Sequence, residues 1–151
     1  MLRLTWTDFD AAITAMVPLI PPGIHSVFGV PRGGMPLAVA LSHRARLQYV
    51  TRPPIDPETR RGVLIVDDIM HVGETLNFLR KGVWYPGQPA LVWYRRTSER
   101  STLIDSIVAA KDVQHVTEIL GNEWLCFPWE DPDRAAAEEA AYAAGQRAFT
   151  R

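Results

Sequence analysis

The chain has 151 residues, 47% of them hydrophobic and 22% charged, with a formal net charge of −1. That length suits one domain burying roughly two thirds of its unfolded surface, and the near-zero charge excludes a global field that would recruit nucleic acid or an anionic membrane. A single cysteine, Cys126, excludes an internal disulfide and a cysteine metal cluster, which suits a reducing cytosol.

In chain order, Leu2 to Trp6 alternates like a short strand, and Thr7 with Asp8 offers a helix cap. Phe9, Ala12, Ile13, Met16 and Val17 follow at helical spacing, up to the breaker Pro21-Pro22-Gly23. Ser26 to Val30 reads as a buried strand that runs into Pro31-Arg32-Gly33-Gly34. Met35 to Ala45 reads as a helix and Leu47 to Thr51 as a strand. Arg52 to Arg61 holds three prolines and is expected to be irregular.

Val63 to Val66 is apolar without alternation, as in a strand buried on both faces of a parallel sheet. The run stops at the adjacent carboxylates Asp67 and Asp68. Gly73, Glu74 and Thr75 then open a helical pattern carrying Leu76, Phe78 and Leu79. Pro89 to Tyr94 is another strand, leading to Arg95 and Arg96. Thr102 to Ala110 suggests a short helix, Val113 to Val116 an edge strand and Glu123 to Phe127 a last short strand. From Asp133 an alanine-rich helix with an Asp cap is expected. Strands alternating with helices predict an α/β fold with a mainly parallel twisted sheet flanked by helices. Residues 1–132 would form one domain, with a small pocket region near its end, and 133–151 a helical extension. No apolar run reaches the ~20 residues of a membrane span, and the N-terminus has no signal-peptide pattern, so a cytoplasmic location is expected.

The stretch from Gly62 to Leu76 carries the chemistry. A strand with an acidic end, a glycine loop and a helix N-terminus can hold an anion on backbone N–H groups. The carboxylates suit ribose hydroxyls and a hard cation such as Mg²⁺. Read alone, the acidic pair equally suits an acidic turn after a buried strand. Arg32 with Gly33 and Gly34 gives a planar fork beside a closely approachable backbone, or simply a tight turn with a surface arginine. Arg95 offers a donor or a solvated charge. Trp124, followed by Leu125, offers a stacking face or core packing.

Val66-Asp67-Asp68-Ile69 followed by Gly73 and Thr75 resembles the phosphoribosyl-diphosphate (PRPP) motif of type I phosphoribosyltransferases. Pro31-Arg32-Gly33-Gly34 resembles that family's pyrophosphate loop, whose peptide before the arginine is commonly cis. Thr5-Trp6, Trp124 and Pro128-Trp129-Glu130 are similar to features of its xanthine-guanine branch, and the likeness spans residues 4–132. The resemblance implies Mg²⁺-dependent transfer of the 5-phosphoribosyl group from PRPP to a purine-like base (guanine, xanthine or hypoxanthine), with release of pyrophosphate. It implies catalytic roles for Asp67, Asp68 and His71, with the metal on Asp68. The 5′-phosphate would sit on Met70, His71, Val72, Gly73, Glu74 and Thr75, and pyrophosphate on Arg32, Gly33 and Gly34. The purine base, or that of a nucleotide monophosphate, would meet Arg95, Trp124 and Leu125. Neither nucleic acid nor membrane is implied as a partner, and the family's habit is a homodimer or homotetramer, for which Trp84 or Tyr85 could serve an interface.

Three departures stand against a routine member. Val72 lacks the hydroxyl usual at its position, and His71 replaces the Asp thought to handle the base proton. The segment Arg52 to Arg61 is shorter than the mobile loop that closes over the reaction centre. These leave two alternatives open: a non-catalytic PRPP- or nucleotide-binding module, and a transferase for a modified or non-purine base.

Overall fold

A computed structural model describes residues 1–52, 56–71, 88–97, 113–120 and 123–144. Val72 to Thr75, the helix expected after them, Trp84, Tyr85 and the helix expected over Thr102 to Ala110 lie outside the described residues. The chain divides into two compact units, Ala12–Gly121 and Met1–Ala11 with Asn122–Arg151.

In the larger unit the apolar runs form a five-stranded sheet. Its strands are β2 (Ser26–Gly29), β3 (Gln48–Tyr49), β4 (Val63–His71), β5 (Ala90–Thr97) and β6 (Val113–Leu120). All neighbouring pairs are parallel, in the order β3-β2-β4-β5-β6. Helix α2 (Gly34–Ala45) links β2 to β3 and packs on β2 and β4. Its buried Leu37, Ala38 and Leu41 recur at helical spacing. Within the sheet Phe28, Val30, Val63, Ile65 and Val92 form a buried cluster on which Val50, Met70 and Ala90 pack. The parallel α/β fold read from the sequence is the one observed.

In the smaller unit β1 (Leu2–Arg3) pairs in parallel with β7 (Leu125–Cys126). The backbone N–H of Leu2 donates to Trp124 O at 2.8 Å and that of Leu4 to Cys126 O at 2.9 Å. Phe127 and Trp129 stack at 5.1 Å, and Trp129 meets Phe9 edge-on at 5.8 Å. The terminal helix α4 (Pro132–Ala143) closes this unit, and the N-terminal ammonium of Met1 pairs with Glu139 of α4 at 3.3 Å.

Several local expectations are corrected. Helix α1 (Trp6–Met16) is capped by Thr5, not by Thr7 with Asp8. The Asp8 N–H donates to Thr5 Oγ1 at 3.2 Å, and Asp8 Oδ2 accepts from the Thr5 N–H at 2.7 Å. That is a reciprocal box with Asp in place of Glu. The proline-rich segment is not wholly irregular, because Pro57–Arg61 forms the short helix α3. Asp56 Oδ2 accepts from the Thr59 N–H at 2.8 Å, and Pro57 suits the first helical position, where no N–H is needed. Helix α4 is capped by Asp131 rather than Asp133, with Oδ1 accepting from Asp133 N–H at 2.9 Å and Arg134 N–H at 3.0 Å. Strand β4 does not end at the acidic pair but continues to His71. The ladder to β5 carries it, pairing Ile69 with Tyr94, Met70 with Arg95 and His71 with Arg96.

Candidate active site

The strand order fixes where a ligand can sit. From β2 the chain winds one way to β3, and from β4 it winds the other way to β5 and β6. The gap beyond the carboxyl ends of β2 and β4 is therefore the topological switch point, where open α/β sheets bind their ligands. The two most distinctive stretches of the sequence both end there.

Strand β2 stops first. Its last pair with β4 is Gly29 with Val66, after which the Val30 N–H donates to Val66 O at 2.9 Å. The loop Pro31 to Gly34 then turns into α2, with the Gly34 N–H donating to Val30 O at 2.9 Å. The Pro31–Arg32 peptide is cis, as the family resemblance implies. Arg32 is exposed, and no ion pair involves it among the described residues.

Beyond Val66, β4 continues alone on this side as Asp67 and Asp68, both buried, at 8% and 5% exposure. Asp67 Oδ1 accepts from the Asp68 N–H at 3.0 Å, and Asp68 Oδ1 accepts from the Ile69 N–H at 2.7 Å. The pairing with β5 passes over Asp68, so its carboxylate supplies a partner to the amide that follows.

The loop and the acids touch. A Cβ on Gly33 would run into the Asp68 carboxylate, with Oδ1 2.6 Å away and Oδ2 closer still. A Cβ on Gly34 would overlap the Val66 carbonyl oxygen and lie 3.0 Å from Asp67 Cα. Both glycines are thus required by close approach. Gly33 is also the N-cap of α2, so the Asp68 carboxylate lies at the positive end of that helix. Two buried carboxylates thus lie against the loop that carries the exposed Arg32, at the carboxyl ends of β2 and β4.

Oxygen donors on adjacent residues fit Mg²⁺, which takes one or two carboxylates and fills its remaining positions with water and substrate phosphate. Among the described residues no cluster of three or more His, Cys, Asp or Glu side chains supplies an all-protein cage.

The other expected site residues are distributed as follows. Met70 lies within β4 beside Arg95, and its side chain packs on the apolar cluster of the sheet. Arg95 is half-buried, with Glu118 of β6 as its register partner. In the smaller unit Leu125 is fully buried in β7, and Trp124 is half-buried with its ring 5.7 Å from that of Tyr142 in α4, at 48°. Sequence reasoning missed Tyr142, although it lies seven positions after the buried Ala135, on the same helix face.

Neither a family model nor a curated protein sequence matches the chain. Solved structures do. A purine phosphoribosyltransferase from Pyrococcus horikoshii is 23% identical, with a TM-score of 0.59, covering 86% of this chain and 93% of its own. A Helicobacter pylori xanthine-guanine-hypoxanthine phosphoribosyltransferase is 19% identical, with a TM-score of 0.60, covering 89% and 97%. The fold is that of the phosphoribosyltransferases. A hypothetical protein from Neisseria gonorrhoeae with bound ppGpp is also similar, at 16% identity and a TM-score of 0.62, covering 95% and 97%. Within the phosphoribosyltransferase fold, the Arg32 loop and the acidic pair of this chain meet at the switch point. No helix among the described residues is long and apolar enough to cross a membrane.

Proposed function

We propose that the chain is a Mg²⁺-dependent phosphoribosyltransferase that moves the 5-phosphoribosyl group from PRPP to a purine-like base. The observation that carries this reading is the fit of Gly33 against the Asp68 carboxylate at the switch point. Chemically, the bond from ribose C1 to the pyrophosphate oxygen breaks, and pyrophosphate leaves with the electron pair. A bond from a ring nitrogen of the base to C1 forms, and the nitrogen's proton is released.

In this reading Asp67 and Asp68 hold the ribose hydroxyls and orient C1. The loop Arg32-Gly33-Gly34 holds pyrophosphate, Arg32 through a two-pronged contact that lysine does not reproduce. Asp68, with Asp67 beside it, would hold Mg²⁺, which when bound offsets the charge building on the leaving pyrophosphate. Met70 to Thr75 hold the 5′-phosphate. In the same reading His71 serves as a contact to that phosphate rather than as the base that takes the proton. Arg95 of β5 donates to the base.

The test is pyrophosphate formation from PRPP, Mg²⁺ and guanine, xanthine, hypoxanthine or orotate. Release with a purine and not with orotate is the expected result, and the absence of release with every base would remove the assignment.

A second reading is favoured by one comparison. The Neisseria gonorrhoeae protein that shares nearly the whole chain's fold was solved with ppGpp. That nucleotide combines a guanine, a ribose and pyrophosphate groups, so the same pieces would serve a non-catalytic guanine-nucleotide binder. Tight ppGpp binding without turnover of PRPP on any base would select this second reading.

A further inference from the structure

The two adjacent carboxylates at the switch point share a backbone but not a sheet face. Successive side chains of an extended strand leave it on opposite faces. A Cβ on Gly29 would strike the backbone of Gly34 and Met35, so α2 covers the face to which Gly29 points. Val27 and Gly29 are the register partners of Leu64 and Val66, which therefore face α2 as well. Asp68 is next in that series, and its carboxylate lies against Gly33 at the start of the helix. Asp67 belongs to the other series. It follows Val63 and Ile65 at two-residue steps, and its register partner is Val92. Those three residues form the buried apolar cluster with Phe28 and Val30. On that face the buried Asp67 turns Oδ1 back to its own strand, where the Asp68 N–H donates to it at 3.0 Å.

We propose that the pair divides its labour: Asp68 alone supplies the charge that holds the cation, and Asp67 is a positioning residue that fixes the Asp68 backbone through Oδ1. The inference rests on the proposed reading of the site as one for PRPP and Mg²⁺, and it narrows the protein ligands of that ion to one carboxylate. A cation on the loop side meets Asp68, whereas the Asp67 side chain leaves the strand on the far face. One carboxylate is enough for Mg²⁺, whose shell water and phosphate oxygens complete. What the Asp68 amide needs is an acceptor, because the ladder from β4 to β5 pairs Asp67 and Ile69 and passes over Asp68. An amide oxygen accepts from that N–H as a carboxylate oxygen does, so the positioning role requires the oxygen and not the charge.

The experiment uses the full chain, with PRPP titrated by calorimetry in the presence and absence of Mg²⁺ into the wild type, Asp67→Asn, Asp67→Ala and Asp68→Asn, each checked by thermal unfolding. The readout is the Mg²⁺ enhancement, the ratio of the two PRPP affinities. A fall in affinity common to both conditions leaves that ratio untouched. Asp67→Asn keeps the acceptor oxygen and should hold the enhancement within about twofold of the wild type. Asp67→Ala removes the acceptor, frees the Asp68 backbone and should cut the enhancement roughly tenfold. Asp68→Asn should abolish it. Loss of the enhancement in a folded Asp67→Asn protein would make Asp67 a cation ligand, overturning the inference while the PRPP reading stands. A wild-type enhancement in Asp67→Ala would show that Asp67 does not position Asp68. Should Asp67→Ala not fold, the Asp67→Asn ratio decides alone. If the wild type itself binds PRPP no more tightly with Mg²⁺, the proposed reading fails and the division of labour falls with it.

Discussion

At Gly33 a hydrogen stands where any other residue would put a carbon into the Asp68 carboxylate. The atoms a Gly33 Cβ would meet belong to the Asp68 side chain and not to backbone, so Gly33→Ala should displace that carboxylate rather than unfold the sheet. Losing one charge-assisted contact of about 1.5–3 kcal/mol predicts a ten- to hundredfold weaker PRPP complex. Gly34→Ala differs, because its Cβ meets the backbone carbonyl of Val66, which cannot rotate away. That substitution should cost about 1–3 kcal/mol of stability, lowering Tm by several degrees. PRPP titration and thermal unfolding of both variants separate the effects. A Gly33→Ala protein with wild-type PRPP affinity would show that the contact does not matter to the site. The residue types here were legible in the sequence, since an acidic pair and an Arg-Gly-Gly loop are short signals. Their contact was not, because nothing local relates Gly33 to Asp68.

Among the elements, helix starts show how polar side chains organise chain that apolar patterning leaves vague. The Thr5 hydroxyl and then the Thr5 amide hold the Asp8 carboxyl below its ordinary range. The Thr59 hydroxyl and amide do the same for Asp56 at the start of α3. A carboxyl whose folded-state pKa is depressed adds stability above its unfolded pKa, near ~4, and that stability is lost as pH falls through the folded value. The Tm difference between the wild type and Asp8→Ala should therefore hold steady from about pH 8 to pH 5 and shrink below about pH 4. A difference that persists unchanged to about pH 2 would contradict the carboxylate as the source. Helix α3 was readable in principle, as Asp56-Pro57-Glu58 is a helix-start pattern, but three prolines in ten residues argued for irregularity and outweighed it. The extension of β4 was not readable. Two carboxylates look like the end of a buried strand, and only the distant ladder to β5 keeps Ile69 to His71 extended.

For the whole molecule, the alternation of apolar runs and helical segments sufficed to anticipate a parallel α/β fold, yet it does not encode which strands are neighbours. The order β3-β2-β4-β5-β6 arises from long-range pairing, and that order turns two separate loops into one site. Trp124 and Tyr142 meet for a similar reason, through the closing of the terminal helix on its own unit. The central claim is that Asp68, at the switch point, binds PRPP together with Mg²⁺. Titrating PRPP into the wild type and into Asp68→Asn, each with and without Mg²⁺, tests it most directly. The wild type should bind PRPP more tightly with Mg²⁺. The variant should unfold at a similar temperature, bind PRPP at least roughly tenfold more weakly and lose the Mg²⁺ enhancement. Equal affinity and equal Mg²⁺ dependence in the two proteins would contradict the account.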